Sequence, residues 1–585
     1  MQAEERNRLR VLSAFVLFFG VLFISRLYYL QIVHHDDFRR EAEKQYVATL
    51  PNLYNRGSIY FHEKDGRLVA AATINSGYVI AIAPKLISDS EQLYNDLNAV
   101  TPINHEEFTL KVEKKDDPYE EVASRVTEEA ANKLKAMKLP GVQIFRETWR
   151  YYPGGSLAAQ VLGFVGYKGD QVVGRYGLES YYNDILSRTS ENLYVNFFAE
   201  LFSNISETLF DRKKIEEGDL VLTIEPTVQS YLEEELQSIM DEWKSDETGA
   251  IIMDPKTGAI YAMAMNPSFD LNQYGKVKSP RLFGNPIVES VHEMGSIVKP
   301  LTVAAGLDAG VITANSTYND MGRVTLNNKT FGNYDGRGRG PNTTMQQVLN
   351  DSLNTGVAFV VQKLGNQRFA DYLLKKYHLG EETGIDLPGE VEGLMSNLSS
   401  KRDIEFATAS FGQGIAVTPI NMTAALSALG NGGYTVSPHV IDEIHYTSGR
   451  IKKYSPNPPE QVLKKETSNE ITRMLVTVVD KALLGGKVKV PEYSIAAKTG
   501  TAQIVNSATG KYYDDRYLHT FFGYFPAYDP KFIVFMYTSY PKNDAQFASH
   551  TLTSSFMRTA KFLLHYYSVP PDRIPTQTAI NTVMR

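Results

Sequence analysis

Residues 249–264 read GAIIMDPKTGAIYAMA, two short apolar runs on either side of the sequence DPKTG. Proline and glycine both favour a reversal of the chain, so the two runs are predicted to form adjacent strands of a hairpin. Just before them, residues 218–226 (GDLVLTIEP) have a strand pattern and residues 227–243 (TVQSYLEEELQSIMDEW) have the pattern of an amphipathic helix. The passage therefore predicts the first part of a sheet with a helix next to it.

The chain beyond this hairpin changes character twice. Apolar helix and loop patterns fill residues 296–435, and strong strand patterns return only near the end. The late elements are the strands Tyr493–Ala497, Thr520–Phe525 and Phe532–Ser539 and the helix Ser554–Tyr567. This order predicts one sheet assembled from both ends and sandwiched by helices, which makes the fold class α+β or α/β.

Length and composition place this sheet in a multidomain protein. A chain of 585 residues is too long for one core, and two or three domains are expected. The net charge of −7 argues against nucleic acid as a partner. With no cysteine and only scattered histidines, we expect no disulfide, no metal and no cofactor. His292-Glu293 does not start an HExxH zinc motif, because its fifth position is Ser296.

The N-terminal region predicts a membrane anchor. Residues 11–33 are 23 residues long and carry a single charge, Arg26, which is enough to span a bilayer. A cleaved signal peptide is the alternative, but the flank RLYYLQIV lacks the small residues of a cleavage site. Three arginines in residues 1–10 favour a cytoplasmic tail there. We expect a single-pass protein whose remaining domains are extracytoplasmic.

Residues 34–215 show a different texture from the rest. NRGSIYFHEKDGRLVAA (55–71) predicts a hairpin around Asp65-Gly66, and Tyr119–Met137 is helix-rich. No apolar run here is long enough for a large core, so 34–215 is interpreted as an elongated, β-rich, non-catalytic pedestal. The catalytic domain is then predicted at 216–568, with a C-terminal tail at 569–585.

Ser296 and Lys299 are the first chemically suggestive pair. They stand at the start of a predicted helix, where a spacing of three residues puts both side chains on one face. A serine hydroxyl is a weak nucleophile unless a base takes its proton, and a lysine with a depressed pKa can be that base. The spacing recurs at Ser539 and Lys542, so it is a weak signal taken by itself.

Two further elements complete a pattern. Ser352-Leu353-Asn354 can place a hydroxyl and a carboxamide at the rim of a cleft, to relay a proton and to hold a substrate amide. Lys498-Thr499-Gly500 lies in a predicted strand, where lysine and threonine can grip a carboxylate and glycine lets a ligand approach. A second KTG at 256–258 is explained by the hairpin turn.

The order S-x-x-K, S-x-N, K-T-G at 296, 352 and 498 is a known catalytic pattern. With it, the chain resembles the class B penicillin-binding proteins. The resemblance also rests on GSIVKPLT (295–302), LGEETGIDLPGEVEGLM (379–395), FGQGIAVTPINMTAALSALGNGG (411–433) and AAKTGTAQ (496–503). Two departures are Met294, where the family commonly has proline, and Leu353, where a small residue is frequent.

The resemblance implies a transpeptidase domain related in fold to serine β-lactamases, and a role for each motif residue. Ser296 would attack the D-Ala-D-Ala carbonyl of a peptidoglycan stem peptide, with Lys299 as the general base. Ser352, Asn354 and Lys498 would pass the proton to the leaving amine and orient the peptide. Lys498, Thr499 and Thr501 would receive the terminal carboxylate, beside Gly500. The backbone N–H groups of Ser296 and Thr501 would form the oxyanion hole.

The resemblance also implies a cellular setting. β-Lactams would acylate Ser296, and the protein would act at the bacterial cytoplasmic membrane in septal or lateral wall synthesis. A polytopic membrane glycosyltransferase of the SEDS type would be its partner. Two alternatives stay open: a β-lactam sensor or hydrolase that shares the three motifs, and an inactive scaffold of a wall-synthesis complex.

Overall fold

The structure is a computed structural model that describes residues 17–23, 25, 26, 28, 29, 55–169, 171–188, 216–506, 509–543 and 545–573. Among these residues no helix is long and apolar enough to cross a membrane. Most of the predicted anchor at 11–33 lies outside the described residues, as do the predicted helical stretch at 34–47 and most of the C-terminal tail. The anchor therefore stays a prediction.

The strands of the described part follow in chain order. They are β1 Ile59–His62, β2 Leu68–Ile82, β3 Glu120–Val126, β4 Val142–Tyr151, β5 Val165–Lys168, β6 Gln171–Gly174, β7 Gly218–Leu222, β8 Glu247–Met253, β9 Ile260–Asn266, β10 Thr317–Asp320, β11 Arg323–Leu326, β12 Lys329–Gly332, β13 Gly340–Thr344, β14 Ile441–Tyr446, β15 Ile451–Lys453, β16 Ala496–Asn506, β17 Lys511–Phe525 and β18 Phe532–Ser539.

The α-helices of the same ranges alternate with these strands. They are α1 Ser90–Asn98, α2 His105–Val112, α3 Glu128–Met137, α4 Ala159–Leu162, α5 Gly177–Tyr181, α6 Asn183–Leu186, α7 Pro226–Trp243, α8 Pro286–Glu289, α9 Lys299–Asp308, α10 Met345–Asn350, α11 Asn354–Leu364, α12 Asn366–Asp371, α13 Asp403–Ala409, α14 Pro419–Ser427, α15 Lys465–Thr477, α16 Ala548–Thr551 and α17 Thr553–Tyr566.

The chain forms two compact units. The larger comprises residues 56–73, 150–188 and 209–585, and the smaller includes residues 74–149. Two segments of the predicted pedestal thus belong to the larger unit. The predicted domain limits, 34–215 and 216–568, stay predictions.

The central sheet of the larger unit has five antiparallel strands in the order β16-β17-β18-β8-β9. The early hairpin supplies β8 and β9, and β18 from the end of the chain pairs with β8 through Val534 and Ile252. The prediction of one sheet assembled from both ends is confirmed. The strand predicted at Tyr493–Ala497 begins three residues later and continues to Asn506 as β16.

Both faces of this sheet are covered. Phe522 and Tyr524 of β17 face one buried apolar cluster, and their neighbours Phe521 and Phe525 face the other. Side chains alternate between faces along a strand, so one strand serves two cores. α7 and α17 supply Leu232 and other apolar residues to the second cluster. The predicted helix–sheet–helix layering follows from this alternation.

The smaller unit joins β3 and the distal parts of β2 and β4 to α1, α2 and α3. Its core includes Ile80, Leu97, Phe108 and Leu134. The sequence prediction of a helix-rich Tyr119–Met137 is wrong in its first half, where β3 pairs with β2. Backbone pairing with an existing strand outweighs local propensity there. Thr127 then caps α3 by accepting a hydrogen bond from the Ala130 N–H.

Candidate active site

Ser296 lies in a short 3₁₀ turn, Gly295–Val298, that leads directly into α9. The turn is held against the central sheet, because the Thr520 hydroxyl donates to the Met294 carbonyl at 3.0 Å. Gly295 has φ +63°, and a Cβ added there would lie 2.8 Å from the Thr501 carbonyl oxygen. The chain entering Ser296 therefore runs directly against the backbone of Thr501.

A second backbone contact fixes the same turn from another side. The Gly295 N–H donates to the Gly412 carbonyl at 3.2 Å. Gly412 has φ +78°, and a Cβ added there would lie only 2.3 Å from the Gly295 carbonyl oxygen. Glycine is required at Gly412 both by its backbone conformation and by this close approach.

Lys299, the first residue of α9, is 1% exposed. Its Nζ donates to the Ser352 hydroxyl oxygen at 3.1 Å and to the Ser352 carbonyl at 2.5 Å. Burial and the nearby charge of Lys498 lower the pKa of Lys299 well below its ordinary value. A lysine in this environment can be neutral and accept a proton.

Lys498 in β16 reaches Ser352 from the opposite side. Its Nζ donates to the Ser352 hydroxyl oxygen at 3.0 Å and to the Thr499 carbonyl at 3.0 Å. The side chain is 3% exposed, and burial lowers the pKa of Lys498 to about 8. The Ser352 hydroxyl therefore joins two buried amines, which is the geometry that a proton relay needs.

Ser352 itself has an unusual backbone. It adopts φ +54° in the turn between α10 and α11, and the next N–H, of Leu353, donates to the Val348 carbonyl. This left-handed conformation costs a non-glycine residue roughly 1 kcal/mol. In this conformation, both the hydroxyl and the carbonyl of Ser352 lie within hydrogen-bonding distance of Lys299.

Asn354 is the first residue of α11. Its Nδ2 donates to the Gly332 carbonyl at 2.8 Å, at the end of β12. This bond fixes the orientation of the carboxamide and leaves Oδ1 and one N–H for a ligand.

Thr499, Gly500 and Thr501 follow Lys498 along β16, an edge strand of the central sheet. A Cβ added to Gly500 would lie 2.3 Å from the Thr520 Oγ1 and 2.8 Å from the Met294 carbonyl oxygen. Gly500 is therefore needed for packing between this strand and the Ser296 turn. The Thr501 hydroxyl accepts a hydrogen bond from the Ala548 N–H at 3.2 Å.

The structure thus brings Lys299, Ser352 and Lys498 into direct contact and packs the Ser296 turn on Thr501. The repeated motifs lie elsewhere: Lys256 pairs with Asp529, and Lys542 pairs with Asp246. In the described part of the chain, no group of three or more histidine and acidic side chains could hold a metal ion. The catalytic roles themselves stay predictions.

Both departures from the family pattern point into the core, since Met294 and Leu353 are buried. Sequence reasoning missed a buried polar cluster behind Asn354, formed by Asp320, Asn333 and Thr355. Their sequence neighbourhoods, NDMG and GNYDG, suggest only turns. Only the adjacency of Thr355 to the S-x-N motif could have drawn attention to one of them.

Comparison with known proteins agrees with this geometry. The penicillin binding protein transpeptidase domain family matches residues 248–558, and the penicillin-binding protein dimerisation domain family matches residues 52–222. Stage V sporulation protein D of Bacillus subtilis (strain 168) is 32% identical over 535 residues, covering 89% of this chain and 80% of that protein. Penicillin-binding protein PbpB of Mycobacterium tuberculosis is 28% identical, covering 97% of this chain and 86% of that protein.

A solved structure points to the same group. Penicillin binding protein 3 from Mycobacterium tuberculosis, complexed with aztreonam, superposes with a TM-score of 0.67 and 25% identity. The match covers 90% of this chain and 99% of that one. Together with the serine–lysine–serine–lysine geometry, these matches establish that the chain belongs to the class B penicillin-binding proteins.

Proposed function

We propose that the protein is a peptidoglycan D,D-transpeptidase that cross-links stem peptides through an acyl-Ser296 intermediate. The observation that carries this proposal is the Ser352 hydroxyl, held at 3.1 and 3.0 Å by the amines of Lys299 and Lys498. These groups can accept a proton from a nucleophile and deliver it to a leaving amine. The relatives include proteins named peptidoglycan D,D-transpeptidase, which supports this substrate class.

In acylation, neutral Lys299 takes the proton of the Ser296 hydroxyl as the oxygen attacks the penultimate D-Ala carbonyl. The carbonyl oxygen gains negative charge, which the N–H groups of Ser296 and Thr501 stabilise. The C–N bond then breaks, and the proton passes from Lys299 through Ser352 to the departing D-alanine. The amine of a second stem peptide attacks the ester and regenerates the Ser296 hydroxyl.

Substrate binding uses the edge of the central sheet. β16 has no partner strand on its outer side among the described residues, so an extended peptide can add there as another strand. Protonated Lys498 attracts the terminal carboxylate, which Thr499 and Thr501 bind with their hydroxyls. Asn354 holds an amide of the acyl part of the peptide.

We further propose that residues 11–33 anchor the protein in the bacterial cytoplasmic membrane, with the catalytic unit on the extracytoplasmic side. The length and the single charge of this segment support the anchor. We propose the SEDS-type glycosyltransferase as partner, because a transpeptidase needs glycan strands made at the same membrane. The role can be septal or lateral wall synthesis.

The direct test is mass spectrometry of the full chain after exposure to benzylpenicillin. We expect one penicilloyl adduct, on the peptide that contains Ser296, and none in Ser296→Ala. An adduct on Ser539, or no adduct on wild type, would refute the proposal. Rapid loss of the adduct with turnover of penicillin would instead support the hydrolase alternative. Cross-linked product from stem-peptide substrate would exclude both the sensor and the scaffold.

A further inference from the structure

A buried polar cluster lies immediately behind Asn354. Its side chains are Asp320 at the end of β10, Asn333 just after β12 and Thr355 in α11, exposed by 1%, 5% and 3%. None of the three belongs to the catalytic motifs. Burying three polar side chains together is costly unless each has hydrogen-bond partners, so their bonding pattern is informative.

Asn333 uses both ends of its carboxamide. Its Nδ2 donates to Asp320 Oδ2 at 3.0 Å and to the Arg337 carbonyl at 3.0 Å. Its Oδ1 accepts from the Thr355 N–H at 3.3 Å, with the Thr355 hydroxyl 3.1 Å away. Asn333 therefore ties the base of the β11–β12 hairpin to the first turn of α11.

Asp320 fixes the other side of the cluster. Its carboxylate accepts from the Thr355 hydroxyl at 2.8 Å, from the Gly322 N–H at 2.9 Å and from the Arg339 N–H at 3.0 Å. With the Asn333 amide, these donors compensate a buried carboxylate in the way that such groups require. The Tyr318 hydroxyl adds a contact to Thr355 at 2.9 Å.

The cluster ends at a carbonyl that contacts the active site. Gly332 directly precedes Asn333 and accepts the Asn354 Nδ2 at 2.8 Å. The position of this carbonyl decides which way the Asn354 amide faces. A fixed Asn333 therefore fixes Gly332, and Gly332 orients Asn354.

We propose that Asn333 is a positioning residue that, with Asp320 and Thr355, orients the Asn354 carboxamide toward the acyl-side amide of the substrate. This inference rests on the proposed function. Asn333 does not touch the reacting atoms, and it acts through Gly332. Its effect should therefore depend on whether the ligand has an amide for Asn354 to bind.

Two β-lactams separate this role from a general structural one. Benzylpenicillin carries an acylamino side chain, whereas the corresponding substituent of imipenem is a hydroxyethyl group without an amide. The experiment measures the second-order acylation rate of the full chain with each compound, and the melting temperature of each variant. The variants are Asn333→Ala and the near-isosteric Thr355→Val. The matched control is Asn319→Ala, on the same strand as Asp320 but exposed.

We expect Asn333→Ala to slow acylation by benzylpenicillin about tenfold, the effect of one misplaced hydrogen bond, and to change the imipenem rate much less. Thr355→Val should change the two rates in the same direction by a smaller factor, and Asn319→Ala should change neither. Equal slowing by both compounds, or no slowing in folded Asn333→Ala and Thr355→Val, would overturn the positioning role. Failure of both compounds to acylate wild type would refute the proposed function instead.

Discussion

The side-chain amines of Lys299 and Lys498 both donate to one atom, the hydroxyl oxygen of Ser352, at 3.1 and 3.0 Å. Two cations this close and this deeply buried favour loss of a proton from one of them. The pKa of Lys299 falls well below its ordinary value for this reason, and the pKa of Lys498 falls to about 8. The arrangement gives the site one neutral base and one cation near neutral pH.

The pH dependence of acylation should therefore be bell-shaped. The benzylpenicillin rate should rise as Lys299 loses its proton and fall above pH about 8, where Lys498 loses the charge that attracts the carboxylate. In Lys498→Arg the alkaline limb should move beyond the accessible range, because a guanidinium stays charged. Stopped-flow acylation rates from pH 5 to about 10 measure both limbs. An unchanged alkaline limb in Lys498→Arg would assign it to another group.

Burial of Lys498 should also be visible in stability. The folded chain releases this proton near pH 8, and the unfolded chain releases it near 10.5. Between these values the unfolded state binds more protons, so this group makes the folded state more stable as pH rises. From pH 7.5 to 9.5 the contribution is about 2 kcal/mol. Urea unfolding should show that increment in wild type relative to Lys498→Met, and equal pH dependence in the two would contradict it.

Gly412→Ala should disturb the Ser296 turn directly. The new Cβ would lie 2.3 Å from the Gly295 carbonyl oxygen, so the turn must shift. Gly310→Ala is the matched control, because Gly310 has a similar φ of +70° but nothing within 4 Å of an added Cβ. Both variants should lose about 1 kcal/mol of stability from the left-handed conformation. Only Gly412→Ala should also slow acylation, by about tenfold or more, and parallel rates in the two variants would argue against this contact.

Tyr512→Phe should loosen the distal end of the β16–β17 hairpin. The Tyr512 hydroxyl lies 2.9 Å from both carboxylate oxygens of Glu293, which also accepts the Gly414 N–H at 2.9 Å. Loss of this charge-assisted bond should cost about 1–2 kcal/mol locally. Hydrogen exchange of residues 503–506 and 511–517 should accelerate in Tyr512→Phe. Tyr513→Phe is the control, and equal acceleration there would show that the Glu293 bond is not responsible.

Much of the fold could be predicted because its signals are local. The hairpins at 59–72 and 249–264 have turn residues between apolar runs, and the structure contains both. The failure at Glu120–Val126 has a non-local cause. This segment is a strand because Tyr78–Ile82 offers it backbone partners 40 residues away in the chain.

The catalytic motifs could be found for a similar reason. Each motif residue type is tied to a chemical task, and the order of the motifs narrows the function. The contacts of Asn333 and Gly412 could not be found that way. Their importance lies in a hydrogen bond or a close approach to a distant residue, and no local pattern encodes such a distance.

The sequence by itself determined the elements, the family and the identity of the reacting groups, because periodicity, turn chemistry and side-chain type are properties of short segments. Only the tertiary structure decided that Lys299 and Lys498 share the Ser352 hydroxyl and that Gly332 orients Asn354. Those relationships depend on how a sheet built from both ends of the chain brings together segments more than 140 residues apart. The pKa values on which the chemistry depends arise from that burial, and a linear sequence has none.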